Sequence, residues 1–294
     1  MDGVLVIDKP TGASSAHVVE HVRRALHIQR AGHGGTLDPI ATGVLAICVG
    51  AGTKLAQFLL ADDKAYEADG LFGVTTDTLD RTGRVVTERP AEVSRDALLA
   101  ALAAHTGTLD QIPPMYSAIK QGGVRLYDRA RAGEEVERAP RRIRIDRLEL
   151  LAFEPPRFRL AVACSKGTYV RSLIADLGDA LGPGAHLTEL RRTRSGQFTL
   201  AQAVSLDRLA EATVIPPARA TDLPSLTATA AQIIQIFNGV QLPIVAFGAG
   251  GLERFQLVDE RGILLAVAHP DAGRTVYDRV FPELTRGKPA PAGP

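Results

Sequence analysis

The densest run of chemically able residues is AGHGGTLDPIATGVL, residues 31–45. Four glycines lie within it and Gly50 follows, so the backbone can reach positive φ and approach a ligand closely. Asp38 sits among them. Pro39 follows and restricts the aspartate's own backbone. A carboxylate placed this way either serves a reaction or caps its own loop as an Asx turn. The run lacks the GxxxxGK[ST] spacing, and GHGGTL does not fit GxGxxG, so a nucleotide-phosphate loop is poorly supported. KGTYVR, residues 166–171, sets a Lys, a Tyr and an Arg where a helical pattern begins. Free N–H groups there favour an anion, although the same letters suit a plain strand-to-helix turn. Tyr66, in DDKAYEADGLFG, lies in a loosely alternating pattern and on that ground alone reads as a core or cross-strand residue. HVVEH, residues 17–21, matches a zinc pattern by letter, with His17 and His21 on one helix face. No third ligand is visible, so exposed histidines are the better reading.

Several elements must position these residues. GVLVIDKP reads as a strand stopped by Pro10, and GVLAICVG as a buried strand. Ser14 or Ser15 is placed to cap a helix reaching about residue 28, and Ser94 one reaching about residue 104. Segments 66–72, 142–152 and 157–164 alternate like strands, with Pro155-Pro156 as a turn, and 169–181 reads as an amphipathic helix closed by Gly182. Residues 213–222 read as a linker. Beyond them come one short helix and strand candidates at 241–247, 254–258 and 263–268. Strands and helices mix without a regular βαβ repeat, so the fold class is α+β, with a mixed, mainly antiparallel sheet and a small β-barrel-like C-terminal unit.

The chain has 294 residues, 45% hydrophobic and 23% charged, enough for about two folded domains and against wholesale disorder. No apolar run approaches the roughly 20 residues of a membrane helix, and the N-terminus lacks a basic leader, which predicts a cytoplasmic protein. Cys48 and Cys164 sit in apolar runs and read as small buried hydrophobes. Net charge is +1, yet residues 120–147 carry nine Lys or Arg against five acids, and Arg191, Arg192 and Arg194 form a second basic group. One such group is ordinarily a solvated face. Two in a near-neutral chain shift the balance towards a polyanion partner.

Taken in order, GVLVIDKPTGASS, AGHGGTLDPIATGVL, DDKAYEA, IPPMYSAIKQGGVRLYDRARAG, CSKGTYVRSLIADLG and GAHLTELRRTRSGQF closely resemble the successive motifs of the bacterial TruB-type tRNA pseudouridine-55 synthases. The resemblance spans roughly residues 2–210. The segment after it more weakly resembles the small PUA RNA-binding domain such enzymes often carry. The resemblance implies a catalytic domain over 1–215, a basic RNA-clamping insertion at about 115–145, a PUA-like domain over 222–286 and a disordered tail at 287–294. It implies isomerisation of a flipped-out uridine in the T loop of tRNA, by a monomer, with no cofactor, no metal and no membrane. By the same resemblance Asp38 is the catalytic carboxylate, Arg171 its cationic partner and Tyr66 the active-site tyrosine. Tyr169 and Leu190 line the uracil pocket. His33 contacts the RNA where the base was displaced, and Lys9 and Lys120 join the RNA-binding set. GHGG stands here where many members have GHTG, which removes a Thr hydroxyl at position 34.

Overall fold

The computed structural model describes residues 1–117, 120–125, 129, 134 and 136–285. The tail expected at 287–294 and parts of the expected insertion lie outside the described residues.

The run GVLVIDK forms β1 (Gly3–Lys9), and Ser14 accepts a hydrogen bond from the His17 N–H at 3.1 Å to start α1 (Ser15–Ala25). A short β2 (Ala31–His33) leads into the glycine-rich loop, which returns as β3 (Thr42–Val49). A brief helix α2 (Ala56–Leu59) precedes β4 (Lys64–Phe72). A small hairpin follows, β5 (Val74–Thr76) with β6 (Val85–Glu88). Ser94 caps α3 (Arg95–Ala104), and β7 (Gly107–Gln111) comes next. In the basic segment that follows, the backbones of β8 (Lys120–Gln121) and β9 (Val124–Arg125) pair. Then come β10 (Arg141–Glu154), β11 (Arg157–Cys164), α4 (Val170–Leu181), β12 (Ala185–Ser195) and β13 (Phe198–Thr199).

Among the described residues nine of these strands make one sheet, with the path β1-β3-β12-β4-β11-β10-β7, β2 paired to β3 and β13 to β12. Only β3 and β12 run parallel; the other pairs are antiparallel. The α+β, mainly antiparallel expectation therefore holds for this part of the chain. Strands β1 and β3 read as unbroken apolar runs because both their faces are buried. Leu5, Ile7, Leu45 and Ile47 pack in the main core with Val18 and Val22 of α1. Val4, Val6, Val44, Ala46 and Cys48 pack on the opposite face against Leu59, Phe198, Ala220, Val267 and Phe281.

The C-terminal part has a sheet of its own, β14 (Ser225–Thr227), β15 (Phe255–Val258), β16 (Leu264–Asp271) and β17 (Arg274–Val280), with α5 (Ala230–Phe237) against it. Two local expectations fail. Residues 241–247 are not a strand: after Pro243, which has no N–H to donate to a ladder, the chain makes a 3₁₀ turn over Ile244–Phe247. Residues 213–222 are not a free linker: Ile215 exchanges backbone hydrogen bonds of 2.8 and 2.9 Å with Val4, and Pro217 and Ala220 are buried. Among the described residues no helix is long and apolar enough to cross a membrane.

Candidate active site

Asp38 projects from a loop whose backbone is tied down on both sides. Ser15 Oγ accepts from the Leu37 N–H at 2.8 Å and donates to its carbonyl at 3.0 Å. The Gly12 N–H donates to the Pro39 carbonyl at 2.7 Å, Thr11 Oγ1 to that of Ile40 at 3.2 Å, and the Ala41 N–H to that of Asp38 at 3.0 Å. Lys9 lies fully buried behind the same loop. Its ammonium donates to the carbonyls of Pro10, Ala13 and Pro39, at 2.8, 2.6 and 3.3 Å. Burial pushes that ammonium down to about 8, with Asp38 opposing and Arg192 adding to the fall. The loop's polar backbone is thus occupied internally, and the Asp38 carboxylate, 35% exposed, is what it presents outward.

Arg171 meets that carboxylate from the first turn of α4. Its Nε donates to Asp38 Oδ2 at 2.8 Å, while Nη1 and Nη2 donate to the carbonyls of Thr78 and Tyr116 at 2.8 and 2.9 Å. A buried Asp80 stands 3.8 Å away on its Oδ2, with its Oδ1 held by Thr78 Oγ1 and the Thr82 N–H, both at 2.9 Å. A guanidinium with 4% exposure and three fixed acceptors has one available orientation. The helix start is itself anchored: Gln111 accepts from the Tyr169 N–H at 2.8 Å and donates to its carbonyl at 3.0 Å.

Asp38 and Arg171 open on a cleft of about 260 Å³, also lined by Lys64, Tyr66, Tyr169, Leu190 and Arg192. That is below the ~300–1,000 Å³ of sites for drug-sized ligands and suits a single nucleoside. The sheet register explains the company. Lys64 and Tyr66 are two apart on β4, and Leu190 and Arg192 two apart on β12, so each pair shares a face. Tyr66 lies directly opposite Arg192 in the ladder. Burial pushes the Tyr66 phenol upward, against a pull from the Arg192 guanidinium. Burial likewise raises the Tyr169 phenol and lowers the Lys64 ammonium to about 8. Three cations, Lys64, Arg171 and Arg192, line the cleft together with the Asp38 carboxylate.

Five of the residues expected from sequence thus stand together: Asp38, Tyr66, Tyr169, Arg171 and Leu190. His33 lies on the strand entering the loop, outside the cleft lining. Its Nδ1 is buried without a hydrogen-bond partner among the described residues, and burial, then Arg192, lowers its imidazole. Lys9 supports the loop from behind. The Lys120 backbone lies in β8, and its side chain is outside the described residues. The missing hydroxyl at position 34 has a local reason: a Cβ on Gly34 would stand 2.8 Å from the Leu59 Cβ. Sequence reasoning missed Lys64, Asp80 and Arg192. The alternation of Leu190 with Arg192 was the available signal for the last. His17 and His21 are exposed, and Glu20 is ion-paired with Arg23 and Arg24. Cys48 and Cys164 are buried with thiols pushed up to about 12 and about 11.

Residues 23–170 match the N-terminal domain of TruB family pseudouridylate synthases, and residues 171–225 the tRNA pseudouridylate synthase B C-terminal domain. A fold and cleft of this kind, matched over this length, define a pseudouridylate synthase. The chain belongs to the TruB family. It is 53% identical over 209 residues to tRNA pseudouridine synthase B of Pseudomonas paraeruginosa, covering 71% of this chain and 69% of that one. It is 51% identical over 247 residues to the Symbiobacterium thermophilum protein of the same name, covering 82% and 83%. Among solved structures it is similar to a chain of a Cbf5-Nop10-Gar1 complex, with a TM-score of 0.75 and 26% identity over 95% of this chain and 84% of that one.

Proposed function

We propose that this chain isomerises uridine to pseudouridine in tRNA, with the uridine at position 55 of the T loop as its target. The observation that carries the reading is the Asp38–Arg171 pair, 2.8 Å apart, at a cleft walled by Tyr66, Tyr169 and Leu190. The reaction breaks the C1′–N1 bond and forms C1′–C5. C5 loses a proton and N1 gains one, so atoms and electrons balance within the substrate and the chain's own side chains suffice. Asp38 serves as nucleophile or electrostatic stabiliser at the sugar carbon as it gains positive character. The fixed guanidinium of Arg171 holds and orients the carboxylate through its 2.8 Å hydrogen bond. Tyr66 stacks on the uracil, and its oxygen, as the phenolate, takes up the proton that C5 loses.

The target base must leave its stack first, at a cost of a few kcal/mol. Phosphate contacts from the basic insertion at 115–145 and stacking on Tyr66 offset it. His33, Tyr169, Leu190, Lys9 and Lys120 complete the RNA-binding set, with Lys9 acting through the loop it holds. In the same proposal residues 1–215 are the catalytic domain, 222–286 form a PUA-like RNA-binding domain, and the protein works as a monomer. The test is incubation with unmodified tRNA transcript tritiated at uracil C5. Tritium release that depends on the T-loop uridine is expected. Tight tRNA binding with no release would instead indicate an RNA-binding protein without this activity.

A further inference from the structure

Among the described residues Arg192 is one of the largest side chains with less than 2% exposure. Its charge is not met by a carboxylate among the described residues. Instead Nε donates to the Val44 carbonyl at 2.7 Å, Nη1 to that of Thr36 at 3.3 Å and Nη2 to that of Gly35 at 3.2 Å. These carbonyls lie on either side of Asp38 in the chain: two in the loop before it, one in the strand after it. A guanidinium has five N–H groups, so two remain beyond these three bonds. Its backbone is equally constrained, because a Cβ at Gly43, where φ is +97°, would stand 2.2 Å from the Arg192 carbonyl oxygen. A buried charge without a counter-charge is costly, and retaining one beside a reaction cleft calls for a role.

We propose that Arg192 is a positioning residue of the isomerisation: one buried guanidinium fixes the backbone that presents Asp38 and, from its place opposite Tyr66, sets the charge environment of that phenol. This rests on the function proposed above. Arg192 from β12, Cys164 from β11 and Asp38 from the loop act on the phenol, while Lys64 shares its face of β4 and Arg171 and Tyr169 line the same cleft. Cys164 and Asp38 both resist its ionisation, and Arg192 favours it. The same charge depresses Lys9, His33 and Lys64, so one side chain influences four groups around the site. Arg192 thereby links the aspartate to the tyrosine, two groups that must act on one nucleoside.

Two substitutions separate the two effects. R192K keeps the charge and loses the three-way fork; R192Q loses both. Ring-fluorinated tyrosine at position 66 lets fluorine NMR follow that one phenol among five tyrosines near neutral pH. R192Q is expected to move its titration upward and R192K by far less, because only the first removes the charge that favours the phenolate. In the tritium assay both variants lower kcat roughly tenfold or more with KM within about twofold, and only R192Q displaces the pH profile. A folded R192Q with the parent's phenol titration, or with the parent's kcat, overturns the proposal. If R192Q fails to fold, R192K decides: unchanged kcat overturns it. The fluorine measurement needs no turnover. A shifted phenol in a protein whose parent never converts tRNA uridine would therefore refute the tRNA reading while leaving the Arg192–Tyr66 link standing.

Discussion

Replacing Arg171 by lysine keeps the charge beside Asp38 and removes the geometry. The guanidinium donates to Asp38, Thr78 and Tyr116 from three different nitrogens in one plane. A single ammonium on a shorter reach holds the carboxylate or the carbonyls, but not all three in that arrangement. Loss of one charge-assisted hydrogen bond is worth about 1.5–3 kcal/mol. At 1.36 kcal/mol per factor of ten, R171K should slow the chemical step roughly 10- to 150-fold. Arg171 is buried beneath the cleft and presents little surface to RNA phosphates, so tRNA affinity should stay within about threefold. Single-turnover tritium release at saturating tRNA measures the first quantity and filter binding the second. A folded R171K with turnover within threefold of the parent would refute the assigned role. So would a loss confined to affinity.

Other outcomes follow from the same geometry. Y66F should bind tRNA normally and turn over at least tenfold more slowly, and full turnover in that variant excludes proton transfer through the hydroxyl while leaving stacking intact. The insertion's excess of four positive charges implies a slope near −3.6 in log affinity against log salt, so tRNA binding should weaken by roughly 150-fold between 50 and 200 mM salt; a flat response counts against a phosphate clamp. The Lys9 ammonium, buried and lowered from its ordinary 10.5 to about 8, releases its proton more readily in the folded chain than in the unfolded one. The unfolded state binds more protons between those values, so this group adds stability as pH rises from about 8 to 10.5. Urea titrations should show that increment in the parent and not in K9M.

The candidate site was legible where side chains recur with fixed spacing. Asp38, Tyr66 and Arg171 each sit in a motif whose order along the chain carries information. Arg192 did not announce itself, because an arginine in RRTR reads as part of a solvated basic group. Its burial is a tertiary result: β12 lies between β3 and β4, so one face of an otherwise polar strand is enclosed. The burial of Lys9 and the place of Lys64 were hidden by the same rule, that lysines belong outside, and both escape it by donating hydrogen bonds to backbone carbonyls. Asp80, in TDTLDRTG, looks like an ordinary turn aspartate, and its approach to Arg171 spans 91 positions of sequence that no local pattern records. The two-sided burial of β1 and β3 was readable from their unbroken apolar runs. The docking of residues 213–222 was not, because it depends on Val4 offering free backbone groups at the sheet's edge.

The most direct test of the account replaces Asp38 by asparagine, which keeps shape and hydrogen-bonding capacity and removes the charge. With C5-tritiated tRNA, D38N should fold, bind tRNA within about threefold of the parent and release tritium no faster than a protein-free control. A folded D38N that rearranges uridine at close to the parent's rate would contradict the claim that this carboxylate drives the chemistry.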